Sequence, residues 1–175
     1  NEQNIDVKKI EDKDKSLKFG DFTPRQIIYY GAPGTGKSHT IKKEEDEGKI
    51  TCIRTTFHPD SDYATFVGCY KPHKIKGTND LTYEFVEQAF LEAYKQAWTN
   101  PKEEIALVIE EINRGNCAQV FGDIFQLLDR SNDGWSTYPI KADTDIAEHL
   151  KELRIPGYAA TMNKRFGLDK EGNDR

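Results

Sequence analysis

The stretch Gly31-Ala32-Pro33-Gly34-Thr35-Gly36-Lys37-Ser38 satisfies the pattern G-x-x-x-x-G-K-[ST] at every fixed position. That pattern constrains the fold because it works only between a strand and a helix. The apolar run Ile27-Ile28-Tyr29-Tyr30 before it reads as a buried strand, and a short helix is expected after it. Glycines let consecutive backbone N–H groups curl around an anion with no Cβ in the way. The N-terminus of the following helix adds its positive dipole end. Gly31 through Ser38, with His39 beside them, are therefore the candidate phosphate-binding residues. Lys37 is expected to reach the β- and γ-phosphates, and the Ser38 hydroxyl to ligate Mg²⁺.

A chain of 175 residues is one domain or most of one, large enough to bury a core without disulfides. Its formal net charge of −5 argues against a broad nucleic-acid surface, though not against a local basic element. Cys52, Cys69 and Cys117 are odd in number and form no C-x-x-C pair, so they read as reduced thiols in a cytoplasmic protein. No apolar stretch is long enough to span a bilayer, and no signal peptide is visible. The chain opens without an initiator methionine and reads as a fragment of a longer protein.

Residues 1–20 are a charged lead-in or linker, and 21–175 an α/β nucleotide-binding domain, incomplete at its C-terminus. Ile50 to Phe57 is β-branched and reads as a second strand. Asp62 is placed to cap the short stretch Tyr63–Val67. Lys71 to Asp80 is basic, holds Pro72 and Gly77, and reads as a projecting loop. Apolar residues at helical spacing from Phe85 to Ala97 predict an amphipathic helix over 83–98. Ile105-Ala106-Leu107-Val108-Ile109 is a continuous apolar run, the mark of a central parallel strand covered on both faces. Val120–Leu128 is predicted helical, Ser131–Gly134 a turn, and Ile155–Met162 a further core strand. Strands alternating with helices make a mostly parallel sheet flanked by helices.

The run 105–109 ends in Glu110-Glu111, where open α/β sheets bind ligands. Glu110 is the candidate metal-site acid and Glu111 the candidate activator of an attacking water. Arg114, just beyond, either contacts a neighbouring subunit's phosphates or pairs with a surface carboxylate. Asn163, at the end of the last expected strand, is placed to orient the attacking water. A solvated acidic strand end is the plain alternative, and the phosphate loop upstream weighs against it.

These residues together resemble an AAA+ NTPase, specifically the McrB family, the GTPase motor subunits of modification-dependent (type IV) restriction systems. The resemblance rests on GAPGTGKS at 31–38, TTFHPDSDYATFVGCYKP at 55–72, YEFVEQAF at 83–90, LVIEEINRGNCAQVFGDIFQLLDR at 107–130 and ATMN at 160–163. It implies a P-loop AAA+ core, a homo-oligomeric ring of six subunits and Mg²⁺-dependent hydrolysis of GTP or ATP, with GTP favoured. It also implies an McrC-like endonuclease partner and DNA recognition mainly through a domain outside this chain. By motif match it assigns Lys37 and Ser38 to phosphate and Mg²⁺, Glu110 and Glu111 to the acidic pair, Asn163 to the sensor and Arg114 to the subunit interface. The chain departs from the family after Asn163, where Lys164-Arg165-Phe166 follows directly in place of T-[AS]-D. This puts residues of the nucleotide site, the register of Arg165 and the helical lid in doubt.

Two other functions fit parts of this pattern. A nucleotide-gated assembly module would use the phosphate loop with little turnover. A MoxR-like AAA+ ATPase would act on protein complexes. His58 and His73 lack metal-ligand spacing to a second ligand. The basic segment Lys71, His73, Lys74 and Lys76 is either a solvated loop or a contact to DNA backbone in a ring pore.

Overall fold

The computed structural model describes residues 26–32, 34–131, 135–138, 140–141, 143–158 and 160–161. The first element after the phosphate loop is helix α1, Lys37–Asp46. It leads into strand β1, Thr51–Thr56, which pairs in parallel with β4, Ile105–Glu110, from Thr51 opposite Ile105 to Thr56 opposite Glu110. A parallel pair needs a long crossover. Here it holds the one-turn helix α2, Tyr63–Phe66, the antiparallel pair β2, Gly68–Lys74, and β3, Leu81–Glu87, and helix α3, Ala89–Thr99. Beyond β4 come a 3₁₀ turn, Ile112–Arg114, helix α4, Cys117–Phe121, a 3₁₀ stretch, Gly122–Leu128, and helix α5, Thr144–Glu152.

Local chemistry explains several of these boundaries. Asp62 closes a capping box on α2: its carboxylate accepts from the Thr65 N–H at 2.8 Å, while the Thr65 hydroxyl accepts from the Asp62 N–H at 2.9 Å. The Thr65 N–H first, and then the Thr65 hydroxyl, which donates to the carboxylate at 2.9 Å, hold the Asp62 carboxyl below the usual carboxylate range. The Asn116 side chain caps α4 by accepting from the Gln119 N–H.

The core forms where α2, α3, α4 and α5 meet the end of β1. Phe57, Phe66, Val67, Leu91, Val120 and Phe121 are all buried there. Phe57, Phe66 and Phe121 form a triangle of rings with centroids 5.2–5.6 Å apart. Edge-to-face pairs of this kind add about 0.5–1.5 kcal/mol beyond the area they bury. Gly115 lies against this triangle, since a Cβ there would stand 3.1 Å from the Phe57 side chain. The segment after β4 is thereby fixed onto the core.

Four sequence expectations are corrected. Ile27–Tyr30 is not in a strand: Ile28 is 80 % and Tyr30 91 % exposed, and the Gln26 side chain reaches the Leu128 carbonyl at 2.7 Å. An apolar run becomes a strand only where an edge receives it, and among the described residues β4 pairs with β1 alone. The described part of 155–162 is also not a strand, for a helical turn occupies its end, with the Thr161 N–H bonded to the Gly157 carbonyl. Gly157, at φ 75°, breaks any extended run. The basic segment 71–80 is a loop only from 75 to 80: Lys71 to Lys74 lies in β2 of the β2–β3 hairpin, with Pro72 tolerated because a two-stranded ribbon has free outer edges. The helix expected from Tyr83 begins at Ala89, because Leu81–Glu87 pairs with β2 before any helix starts.

Two expectations are met in part. The strand at 105–110 is parallel, but all six of its residues are half-buried, not covered on both faces. Helix α3 covers one face of β1 and β4, whereas α1, near the other, buries no residue fully. The helix expected at Val120–Leu128 is α-helical only to Phe121 and 3₁₀ from Gly122, whose φ is 49°. Residues 132–134 of the expected turn lie outside the described residues, but the Ser131 N–H and hydroxyl both bond the Trp135 carbonyl across it.

Candidate active site

The phosphate loop leads into α1 as its sequence requires. Gly34 and Gly36 have φ of 79° and 84°, a region L side chains rarely adopt, and a Cβ at either would meet nothing within 4 Å. The backbone there is open on its outer side. Gly36 is the N-cap of α1, and its carbonyl takes the first helical bond from the Thr40 N–H at 3.1 Å. The Thr35 hydroxyl donates to the Ala32 carbonyl at 2.8 Å and tightens the turn. The Lys37 ammonium donates to the Gly31 and Ala32 carbonyls at 2.7 and 2.8 Å, so the cation is held against the loop. Ser38 and His39 are exposed at the start of the helix. Pro33 lies outside the described residues.

The acidic pair stands at the C-terminal end of β4. The Phe57 N–H bonds the Glu110 carbonyl at 3.0 Å, which aligns the ends of the two parallel strands. Glu111 then turns the chain with φ 53° and ψ 40°, a left-handed conformation that costs an L-residue about 1–2 kcal/mol. Its carbonyl accepts from the Arg114 N–H at 2.8 Å. Its carboxylate is exposed and has no hydrogen bond or ion pair among the described residues. Strained backbone at a non-glycine residue persists where surroundings enforce it, and it clusters at active sites. Arg114 is likewise exposed and unpaired among the described residues. Asn163 and Arg165 lie outside the described residues.

One residue that the sequence reading passed over ties the two halves together. Arg54, on β1, reaches Glu45 of α1 at 2.8 Å and Glu110 at 3.4 Å. Ile53 beside it turns into the core, so Arg54 faces the opposite side of the sheet. The guanidinium links the helix of the phosphate loop to the acidic strand end. A lone cation inside a β-branched strand, upstream of a Glu-Glu strand end, was the available signal. On the same face, burial and then the charge of Glu45 push the Cys52 thiol up, which keeps it protonated. Beside these elements, a shallow depression of about 420 Å³ opens at the end of β1, with His58, Asp60 and Ser61 among its lining residues.

Comparison with known proteins places these features in a biological setting. No family model matches the chain. Over 169 aligned residues it is 40 % identical to "Type II restriction enzyme BsuMI component YdiS" of Bacillus subtilis (strain 168), covering 82 % of this chain and 49 % of that protein. Over 121 residues it is 26 % identical to "Type IV methyl-directed restriction enzyme EcoKMcrB subunit" of Escherichia coli (strain K12), covering 64 % of this chain and 25 % of that protein. The chain is related to restriction-system components. It spans about half the length of the first relative and a quarter of the second. Its small parallel sheet with flanking helices is compatible with a P-loop fold. No helix among the described residues is long and apolar enough to cross a membrane.

Proposed function

We propose that this chain carries the nucleotide-hydrolysing core of a restriction-system motor, an AAA+ P-loop NTPase of the McrB type. The observation that carries the reading is the loop Gly31–Ser38: an open, left-handed glycine turn entering a helix, with Lys37 held across it. The relation to restriction components supplies the biological setting. GTP is favoured over ATP as substrate, and the working form is a homo-oligomeric ring with an McrC-like endonuclease partner. DNA translocation for restriction is the output.

The residues present fit a Mg²⁺-nucleotide. No cluster of three or more His, Cys, Asp or Glu side chains cages a metal among the described residues. Mg²⁺ keeps much of its shell for water and phosphate and takes one or two protein oxygens. Ser38 and Glu110 would supply those oxygens, and the ion would neutralise charge on the transferring phosphoryl group. The backbone N–H groups at Gly34 and Gly36 bind the phosphates, and Lys37 exchanges carbonyls for phosphate oxygens. Arg54 holds the Glu110 carboxylate in place from the adjoining strand. Glu111, with its carboxylate free, accepts the proton of the attacking water. Asn163 orients that water, and Arg114 acts on the nucleotide of a neighbouring subunit.

The test is Mg²⁺-dependent GTP and ATP turnover by the full chain, with and without Glu111→Gln, alongside a mass measurement by light scattering. GTP-selective turnover by a ring, abolished by the substitution, is the expected result. ATP-selective turnover would favour the MoxR-like alternative. Assembly on nucleotide with no turnover would replace the motor with a nucleotide-gated scaffold.

A further inference from the structure

The β2–β3 hairpin leaves the body of the protein. Its root is anchored: the Gln88 N–H bonds the Val67 carbonyl at 3.0 Å, and Phe85 stacks on His149 with ring centroids 4.5 Å apart. The Glu87 carboxylate is paired with both Lys95 and His149. From Tyr70 outward to Glu84, every residue but Thr82 is exposed. Seven residues per strand at about 3.3 Å each give an arm of roughly 23 Å, much of it in solvent.

What this arm displays differs from the rest of the chain. From Tyr70 to Glu84 it carries Lys71, Lys74 and Lys76 against two acids, Asp80 and Glu84, the latter opposite Lys71, in a chain whose net charge is −5. None of the three lysines has an ion pair among the described residues. The register puts Tyr70, Pro72 and Lys74 on one face, and Lys71 and His73 on the other. Lys76 lies in the turn. Cations therefore point outward on both faces of a thin ribbon. Tyr83 and Leu81, each 68 % exposed, sit beside Lys74.

A two-stranded ribbon is one of the few elements that enter the major groove of duplex DNA, about 12 Å wide with phosphates along both walls. Lysines on both faces suit that setting and do not suit docking on one flat surface. We infer that the β2–β3 arm is a duplex-DNA contact, with Lys71, Lys74 and Lys76 on phosphates of the two groove walls and Tyr83 and Leu81 against base edges. This rests on the restriction-system reading above and names an element by which such a motor would grip its track.

The experiment is fluorescence-anisotropy titration of a labelled 30-base-pair duplex (an order-of-magnitude length for roughly three helical turns) with the full chain at stepped NaCl concentrations. The variants are Lys71, Lys74 and Lys76 changed together to Gln, the same three changed to Arg, Tyr83→Ala, and Lys102→Gln as an exposed control. Each phosphate contact contributes about 0.9 to the slope of log K against log salt, so the Gln variant should lose about 2.7 from that slope. The Arg variant should keep the slope. Tyr83→Ala should weaken binding severalfold with the slope unchanged. A Gln variant that melts like wild type and keeps the full slope would overturn the inference. So would equal losses in the Gln and Arg variants. Basal nucleotide turnover separates the two readings: Lys37→Ala should abolish turnover and leave the salt slope intact, and the Gln variant of the arm should lower the slope and leave turnover intact.

Discussion

Glu111 allows stability and function to be pulled apart at one residue. Its left-handed conformation, φ 53° and ψ 40°, costs about 1–2 kcal/mol for a side chain with a Cβ. Its carboxylate makes no hydrogen bond or ion pair among the described residues, so removing it forfeits no contact there. Glu111→Gly relieves the strain but adds freedom to the unfolded chain, which takes back about 0.5–1 kcal/mol. The net expectation is a gain of roughly 0.5–1 kcal/mol, a rise in Tm of about 1–4 °C for a chain of this size. Glu111→Gln keeps the strain and should leave stability within about 0.5 kcal/mol of wild type. Both variants lose the proton acceptor, so turnover should fall by about 10²–10⁴. Urea denaturation followed by circular dichroism, read as a shift in midpoint at constant slope, measures the first effect. Mg²⁺-dependent phosphate release measures the second. If Glu111→Gly destabilises by 1 kcal/mol or more, the side chain is structural and the strain argument fails. If Glu111→Gln turns over normally, the residue is not the base.

Three further expectations follow from the same geometry. At Gly68, φ 148°, a Cβ would sit 2.8 Å from the Phe85 ring and 2.9 Å from the Val86 carbonyl; Gly68→Ala should cost about 2–4 kcal/mol in urea unfolding, through overpacking and strain at the hairpin root. Asp62→Ala should cost about 1 kcal/mol as a lost cap. Because the Asp62 pKa is lowered on folding, the wild-type advantage should be complete above the ordinary value of 3.8 and vanish as pH falls through the folded value, which parallel melts of the two proteins from pH 7 to pH 2 would check. Arg54→Gln removes contacts at 2.8 and 3.4 Å between side chains about one-third exposed, so after solvent screening it should cost about 1 kcal/mol, with the deficit shrinking in 1 M salt, where the Debye length is about 3 Å.

The parts of the fold legible in the sequence are those fixed by local chemistry. The glycine turn into α1 and the cap at Asp62 need only neighbours in the chain, and each stands where expected; the β-branched run of β1 also stands where expected, with β4 as its distant partner. The misreadings share a cause. Phe85 and Val86 fit a helical period as well as a strand, and pairing with Tyr70 and Cys69, partners distant in sequence, decided between them. Lys71, Pro72 and Lys74 look like a loop until an antiparallel partner exists. Ile27–Tyr30 has the composition of a strand, and composition does not supply an edge.

The candidate site shows the same division. The residues proposed to bear the chemistry, Lys37, Ser38, Glu110 and Glu111, are read from motif and strand end alone. How the site is held is not read that way, because Arg54 acts through partners on α1 and on β4 that are far apart in sequence. Glu110 is spoken for by a cation on its own sheet, and Glu111, one residue on, is turned away into solvent by a backbone that resists the turn. Two adjacent carboxylates on a regular strand would point to opposite faces of the sheet. The left-handed kink makes them unlike, leaving one carboxylate anchored in a charge network and one free to accept a proton. Under the proposed function, these unlike environments would suit one acid to holding the metal and the other to accepting a proton.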